Sequence, residues 1–216
     1  MEYLFEEGIK RVRLWPQGVD ARRFHPDKAS KRWRERLSGG RPSQKIVLYV
    51  GRLAPEKGIE RLKTILGEVP ETRLAIVGDG PARGNLEREF ARTPTVFTGA
   101  LEGEDLAAAY ASADVFLFPS TTDTLGLAML EALASGLPII AARSDASREI
   151  VEEEQNGLLY EADSAPSLVA TVRRLFSDEG LRGSLARAAR AAAEERDWGS
   201  STRALRGYYE QAVGAR

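Results

Sequence analysis

IVLYVGRLAPEKGIERLKTILGEVPETRLAIVGDGPARGNLEREF, residues 46–90, holds the pattern on which the fold turns. An apolar run of five residues leads through a Gly-Arg turn into a helix candidate at 59–67. The unit then repeats, with a run at 73–77, a Gly-rich turn from Gly78 and a helix candidate at 82–92. Apolar runs of this length without polar alternation fit strands buried on both faces. Short strands alternating with helices of about ten residues give a parallel sheet covered on both sides.

The alternation continues outward. Further strand candidates lie at 95–98, 114–118, 138–141 and 157–160, with helix candidates at 103–112, 125–135 and 145–151. The expected fold is α/β, a Rossmann-like parallel sheet of about six strands flanked by helices. After Tyr160 no strand pattern remains. Residues 164–177, 180–196 and 200–213 read as three helices, with Ser164 and Ser177 as caps and Gly180 and Gly199 as punctuation. Residues 1–45 form a less regular lead-in with turn signals at Pro16–Gly18 and Gly39–Pro42. The division expected is therefore a lead-in at 1–45, the sheet domain at 46–197 and a C-terminal helix at 198–216.

Composition narrows the chemistry. The chain has 216 residues, 43% hydrophobic and 29% charged, with a formal net charge of -1, enough for one sizeable core. It has no cysteine and one histidine, His25, so thiolate chemistry is excluded and a histidine-based triad or metal site is disfavoured. Carboxylates, Arg, Lys and backbone donors must do the work. Residues 1–41 carry more Lys and Arg than Asp and Glu. Basic stretches can face nucleic acid or anionic lipid. Here the reading is a solvated helix around 28–36, without the interleaved aromatics of a single-strand binder, and no nucleic-acid partner is expected. The longest uncharged run, between Glu131 and Arg143, is too short to span a bilayer. The first residues lack a signal-peptide pattern, which points to a cytoplasmic location.

An open parallel sheet binds its ligand at the carboxyl ends of its strands. Three of the loops there carry information. Residues 51–58 place Arg52 and Lys57 between a strand and a helix start, which suits a diphosphate; two surface cations with ordinary ion pairs fit the spacing equally. The pattern is not a Walker A loop, because Lys57 precedes the glycine and Ile59 follows it. Residues 78–84 mimic a dinucleotide fingerprint, but the spacing is GxGxxxG and no acidic residue closes the next strand. A tight strand-to-helix turn is the default there. Residues 119–142 carry most. From Leu125 to Ala142 the one charged residue is Glu131, on a helix apolar enough to be buried. A buried carboxylate needs a cation, donors or a ligand, and pairing to an arginine in the core stays open beside ligand binding. Asp123 precedes the helix, as an N-cap or as an acceptor for hydroxyl groups. Leu125, Gly126 and Leu127 would offer backbone N–H groups to an anion. Together these groups ask for a nucleotide-sugar.

The segments G-V-D-A-R-R-F-H-P (18–26), V-G-R-L-A-P-E-K-G (50–58), I-V-G-D-G-P (76–81) and D-T-L-G-L-A-M-L-E-A-L-A-S-G-L-P (123–138) occur in an order that resembles the retaining family-4 glycosyltransferases. The resemblance covers about 14–200. It implies one half of a GT-B fold, the C-terminal donor-binding domain, without the N-terminal domain that would hold the acceptor. The last helix would cross to that missing domain. By the same resemblance Arg52 and Lys57 would hold the donor diphosphate, assisted by the main chain at Leu125, Gly126 and Leu127. Glu131 matches the second acidic residue of the family's Glu-x7-Glu motif and would hold the ribose. Asp123 takes the first position, facing the donor sugar, and Gly99–Leu101 would lie by the base. Arg52, Lys57 and Asp123 are thus the catalytic candidates, with Leu101 among the binding residues.

Two departures stand out. Asp123 replaces the commoner Glu, in a Thr-Asp-Thr-x-Gly form that resembles mannosyl- and sulfoquinovosyl-transferases acting on lipids. Asp145-Ala146 stands where the family often has Gly-Gly. The resemblance implies a GDP-sugar or UDP-sugar as substrate, with GDP-mannose favoured. No metal or other cofactor is expected, because the two loop cations would take its place and no Asp-x-Asp signature occurs; the full-length enzyme is expected in the cytoplasm or at the membrane surface facing it. This chain alone would bind donor without turning it over. The competing expectation is a regulatory nucleotide-binding module without transfer chemistry.

Overall fold

The structure, a computed structural model, describes residues 8, 12, 13, 15, 17–123 and 126–214. At its centre six strands form one parallel sheet: β1 (Lys45–Val50), β2 (Thr72–Val77), β3 (Thr95–Gly99), β4 (Val115–Phe118), β5 (Ile139–Ala142) and β6 (Gly157–Tyr160). The spatial order is β3-β2-β1-β4-β5-β6. The chain starts in the middle, works outward to β3, then returns to lay β4 on the other side of β1. That reversal opens a crevice between the carboxyl ends of β1 and β4, where this arrangement places ligands.

Around the sheet lie α1 (Lys31–Leu37), α2 (Lys63–Glu68), α3 (Arg83–Phe90), α4 (Gly103–Ala111), α5 (Leu127–Ala134), α6 (Asp145–Ile150), α7 (Ala165–Ser177), α8 (Glu179–Glu195) and α9 (Trp198–Gly214). β1 explains the unbroken apolar runs. Its Ile46 and Leu48 enter the core shared with α1, α4 and α5, while Val47 and Tyr49 enter the one under α2, α3 and α7. Two faces are buried, so no position is left for a polar residue.

Two boundaries differ from the sequence reading. The helix expected at 59–67 begins as a 3-10 turn, Ile59–Leu62, before α2. Gly58 ahead of it is left-handed (φ 64°) and has no side chain to cap the turn. The cap of α8 is Asp178, whose carboxylate accepts from Leu181 N at 2.8 Å; Ser177 is the last residue of α7. Asp sits where the chain is extended (φ -117°), the conformation an N-cap requires. Ser164 caps α7 as expected.

The lead-in corrects a larger expectation. α1 is solvated on its outer face, where Lys31, Arg32, Glu35 and Arg36 are exposed, but it is also a core element: Trp33 and Leu37, one turn apart, are buried. Arg34 anchors it. Its guanidinium meets Asp114 at 2.6 Å and donates to the carbonyls of Ser112, Pro42 and Gln44 at 2.6–3.1 Å. Asp114 in turn accepts from Ile46 N at 2.7 Å, tying α1 to the start of β1. A second arginine does the same for residues 21–24. Arg190 Nη1 on α8 donates to the carbonyls of Ala21 and Phe24, both at 3.0 Å, and to Ala134 at the end of α5 at 2.6 Å. Val19 then pairs in parallel with Asp197, and a Cβ on Gly18 would stand 2.9 Å from the Trp198 backbone.

Candidate functional site

The crevice between β1 and β4 is occupied by a cleft of about 330 Å³, lined by Tyr49–Arg52, Lys57, Phe118, Asp123 and Gly126–Ala128. β1 delivers Tyr49, the loop that leaves it delivers Arg52, and the turn Pro55–Lys57 delivers Lys57. Tyr49 donates its hydroxyl to the Arg52 carbonyl at 3.0 Å, which fixes the backbone of the loop below the guanidinium. Burial, then the charges of Asp123 and Glu56, push that hydroxyl well above its ordinary range, so it remains a donor.

The second wall is the start of α5. Gly126 is its N-cap, left-handed at φ 59° and without a side-chain cap. The first intrahelical bonds run from Met129 and Leu130 to the Gly126 carbonyl, so the amides of Leu127 and Ala128 precede the ladder. Leu127 itself is exposed. Asp123 is not the cap. Its carboxylate pairs with Lys57 at 2.5 Å, with both side chains largely buried. Arg52 is exposed and, among the described residues, has no acidic partner. The two cations of the 51–58 loop are therefore unlike: Lys57 is latched to a site carboxylate, and Arg52 has no such latch among the described residues.

The 78–84 loop does not take part. Its glycines serve chain packing: a Cβ on Gly78 would lie 1.9 Å from the Gly51 carbonyl, and one on Gly80 2.3 Å from the Leu53 carbonyl. The two loops are stitched by Leu53 N to Asp79 O and Ala82 N to Leu53 O, both 2.9 Å. Its cation is already engaged, since Arg83 meets Asp79 at 2.9 Å and Glu87 at 2.8 Å. The tight-turn reading holds. Asp145-Ala146 likewise opens a capped helix, with Ser144 and Ser147 forming a reciprocal capping box.

Glu131 lies on α5, one turn beyond Leu127, and outside the cleft lining. Its partner is not an arginine in the core. Tyr110 on α4, fully buried, donates its hydroxyl to Glu131 Oε2 at 2.9 Å. Burial raises the Glu131 pKa, against the Tyr110 hydrogen bond and the field of Arg23, which lower it. Leu101 is half-buried, packed against the core and also outside the cleft lining. Leu125 falls outside the described residues. No group of three or more His, Cys, Asp or Glu with metal-binding geometry occurs among the described residues. Sequence reasoning missed Tyr49 and Tyr110; the signals available were a tyrosine within the apolar run of β1 and one at the end of the Leu-Ala-Ala-Ala stretch of α4.

The fold and cleft place the chain among doubly wound α/β proteins with a basic, main-chain-rich crevice at the switch point. Residues 31–192 match the family described as glycosyl transferases group 1, and the chain belongs to that family. It is 42% identical over 199 residues to a sulfoquinovosyl transferase of Arabidopsis thaliana, covering 91% of this chain and 39% of that protein. It is 41% identical over 217 residues to a GDP-mannose-dependent alpha-mannosyltransferase of Mycobacterium tuberculosis, covering 100% of this chain and 55% of the relative. Among solved structures, sucrose-phosphate synthase from Thermosynechococcus elongatus superposes with a TM-score of 0.83 at 26% identity, over 100% of this chain and 57% of that one. The chain thus spans about half the length of the relatives it matches, or less, and forms about half of a GT-B fold. Among the described residues no helix is long and apolar enough to cross a membrane.

Proposed function

We propose that this chain is the donor-binding half of a retaining, metal-independent glycosyltransferase, taking a nucleoside-diphosphate sugar. The observation that carries the reading is the cleft at the β1–β4 switch point, where Arg52, Lys57, Asp123 and the free end of α5 converge. A diphosphate fits a site with two cations and the backbone amides of a helix start, since helix end and side chains favour the same charge. As the glycosyl bond breaks, negative charge grows on the departing nucleoside diphosphate. Fixed donors aimed at that charge stabilise the transition state more than the ground state. The cations then do the work that a divalent metal performs elsewhere.

Asp123 would face the donor sugar, and Glu131 the ribose hydroxyls, for which a carboxylate is a natural acceptor. On donor binding the Lys57 ammonium exchanges one anionic partner for another, so the Asp123 pair is a placeholder for the phosphate. The GDP-mannose-dependent relative favours GDP and mannose as base and sugar. The acceptor would be held by a second domain, and this chain alone would bind donor without transferring it.

Calorimetric titration with GDP and with UDP tests the reading, in parallel with an Arg52→Ala/Lys57→Ala variant and with EDTA present. Saturable binding of one nucleotide, weakened at least tenfold in the variant and unchanged by EDTA, is the expected outcome. Binding of neither nucleotide, or equal binding by the variant, overturns it. Sugar transfer by the chain alone at an ordinary rate would refute the division of labour between two domains.

A further inference from the structure

Tyr110 lies outside every loop discussed so far, in the middle of the core. Its ring is held by Phe24 edge-on at 5.7 Å and by Phe116 at 5.8 Å, and none of it is exposed. A phenylalanine would fill that space as well, so packing does not account for the hydroxyl. The hydroxyl reaches one group, Glu131 Oε2, at 2.9 Å. Glu131 in turn sits on a helix whose other inward residues are apolar, and it makes no ion pair among the described residues. A carboxylate without a fixed partner on such a helix would sample several rotamers.

We infer that Tyr110 is the positioning residue for Glu131, fixing one carboxylate oxygen so that the remaining acceptor sites are held ready for the vicinal hydroxyls of the nucleotide's ribose. The inference rests on the ribose role proposed for Glu131. Its chemistry is a matter of counting. A carboxylate has about four acceptor sites; the tyrosine takes one and three remain, enough for a diol. The tyrosine hydroxyl is held as a donor, because burial and the neighbouring carboxylate both resist its ionisation. The charged and titratable groups that face Glu131 are Tyr110 from α4 and Arg23 from the lead-in. Both favour the carboxylate over the acid, against burial. Arg23 is held near by the backbone of Ala21 and Phe24, which Arg190 secures. Three separate elements therefore prepare one side chain.

The test is titration of Tyr110→Phe and Glu131→Gln with GDP and with 2′,3′-dideoxy-GDP, or with the UDP pair if UDP is the ligand, across mildly acidic to neutral pH. Tyr110→Phe is expected to weaken GDP by about tenfold, the size of one hydrogen bond to a charged group. It should leave the dideoxy compound unaffected, because no ribose hydroxyl remains to be positioned for. Loss of the hydroxyl also removes a group that favours the carboxylate. The acid-side loss of GDP affinity should then begin at higher pH in Tyr110→Phe than in the wild type. A merely structural tyrosine would weaken both nucleotides alike and leave the pH midpoint in place, and that result overturns the inference. So does wild-type behaviour of Tyr110→Phe. Unchanged GDP affinity in Glu131→Gln overturns the ribose reading itself, and this inference with it.

Discussion

Gly78→Ala would separate a glycine kept for chain packing from one kept for a ligand. The residue is at φ 135°, where an L side chain is strained, and its Cβ would stand 1.9 Å from the Gly51 carbonyl oxygen. Ordinary carbon–oxygen contact is at about 3.3 Å, so the two loops must part by more than about 1 Å. Three backbone bonds cross or border that gap: Gly51 N to Val77 O at 3.0 Å, Leu53 N to Asp79 O at 2.9 Å and Ala82 N to Leu53 O at 2.9 Å. Weakening them costs about 1 kcal/mol each, and the strained backbone adds about 1–2 kcal/mol. The expected loss is about 4 kcal/mol, which lowers the melting temperature of a domain this size by roughly 12 °C. Because Arg52 rides on the displaced loop, nucleotide affinity should fall as well. Gly84→Ala is the control. Gly84 lies inside α3 with nothing within 4 Å of its Cβ, so alanine should be neutral or stabilise by up to about 1 kcal/mol. Urea unfolding of both variants decides. A Gly78→Ala loss under about 1 kcal/mol, with affinity intact, would refute the argument that Gly78 and Gly80 exist for the neighbouring chain.

Arg34→Ala should destabilise by about 3–5 kcal/mol, since it strands the largely buried Asp114; Arg34→Lys should recover little, as a single ammonium cannot reach four acceptors, and denaturant melts measure both. Glu131 has a raised pKa in the fold, so the native state favours its protonated form and the associated stability fades as pH rises from below the unfolded value through the folded one. Glu131→Gln should therefore be at least as stable as wild type at neutral pH, the difference shrinking on acidification in pH-dependent melts. Lys57→Met should weaken nucleoside diphosphate binding more than it weakens nucleoside binding, read by titrating both ligands.

The sheet was legible because its information is local. Five of the six strands announce themselves as apolar runs followed by a turn, while β3 (TVFTG), at the sheet edge, mixes apolar residues with threonines; the order of helices follows. Residue types and loop positions were also enough to nominate Arg52, Lys57 and Asp123, which do meet at one cleft. What stayed hidden was pairing across distance. Asp123 and Lys57 stand 66 residues apart, and Arg34 and Asp114 stand 80 apart; periodicity carries no term for such separations. The lead-in misled for a related reason. Four cations in 31–36 drew attention to the outer face of α1, while Trp33 and Leu37 on its inner face, spaced by one turn, signalled burial. Glu131 was rightly singled out as needing a partner, but a tyrosine hydroxyl among apolar residues gives no charge signal to search for.

The parallel pairing of Val19 with Asp197, with the Trp15 indole donating to the Ser201 carbonyl at 3.1 Å, has a mechanical side. Chain entering at residue 17 and chain leaving at residue 198 share one corner of the domain. A pull on either segment therefore reaches the sheet domain at the same corner, and the two segments share the load between them. Arg190, which secures the neighbouring residues 21–24 and the end of α5, ties that corner to the inside of the domain, so the joint is braced by α8 as well as by the chain crossing itself.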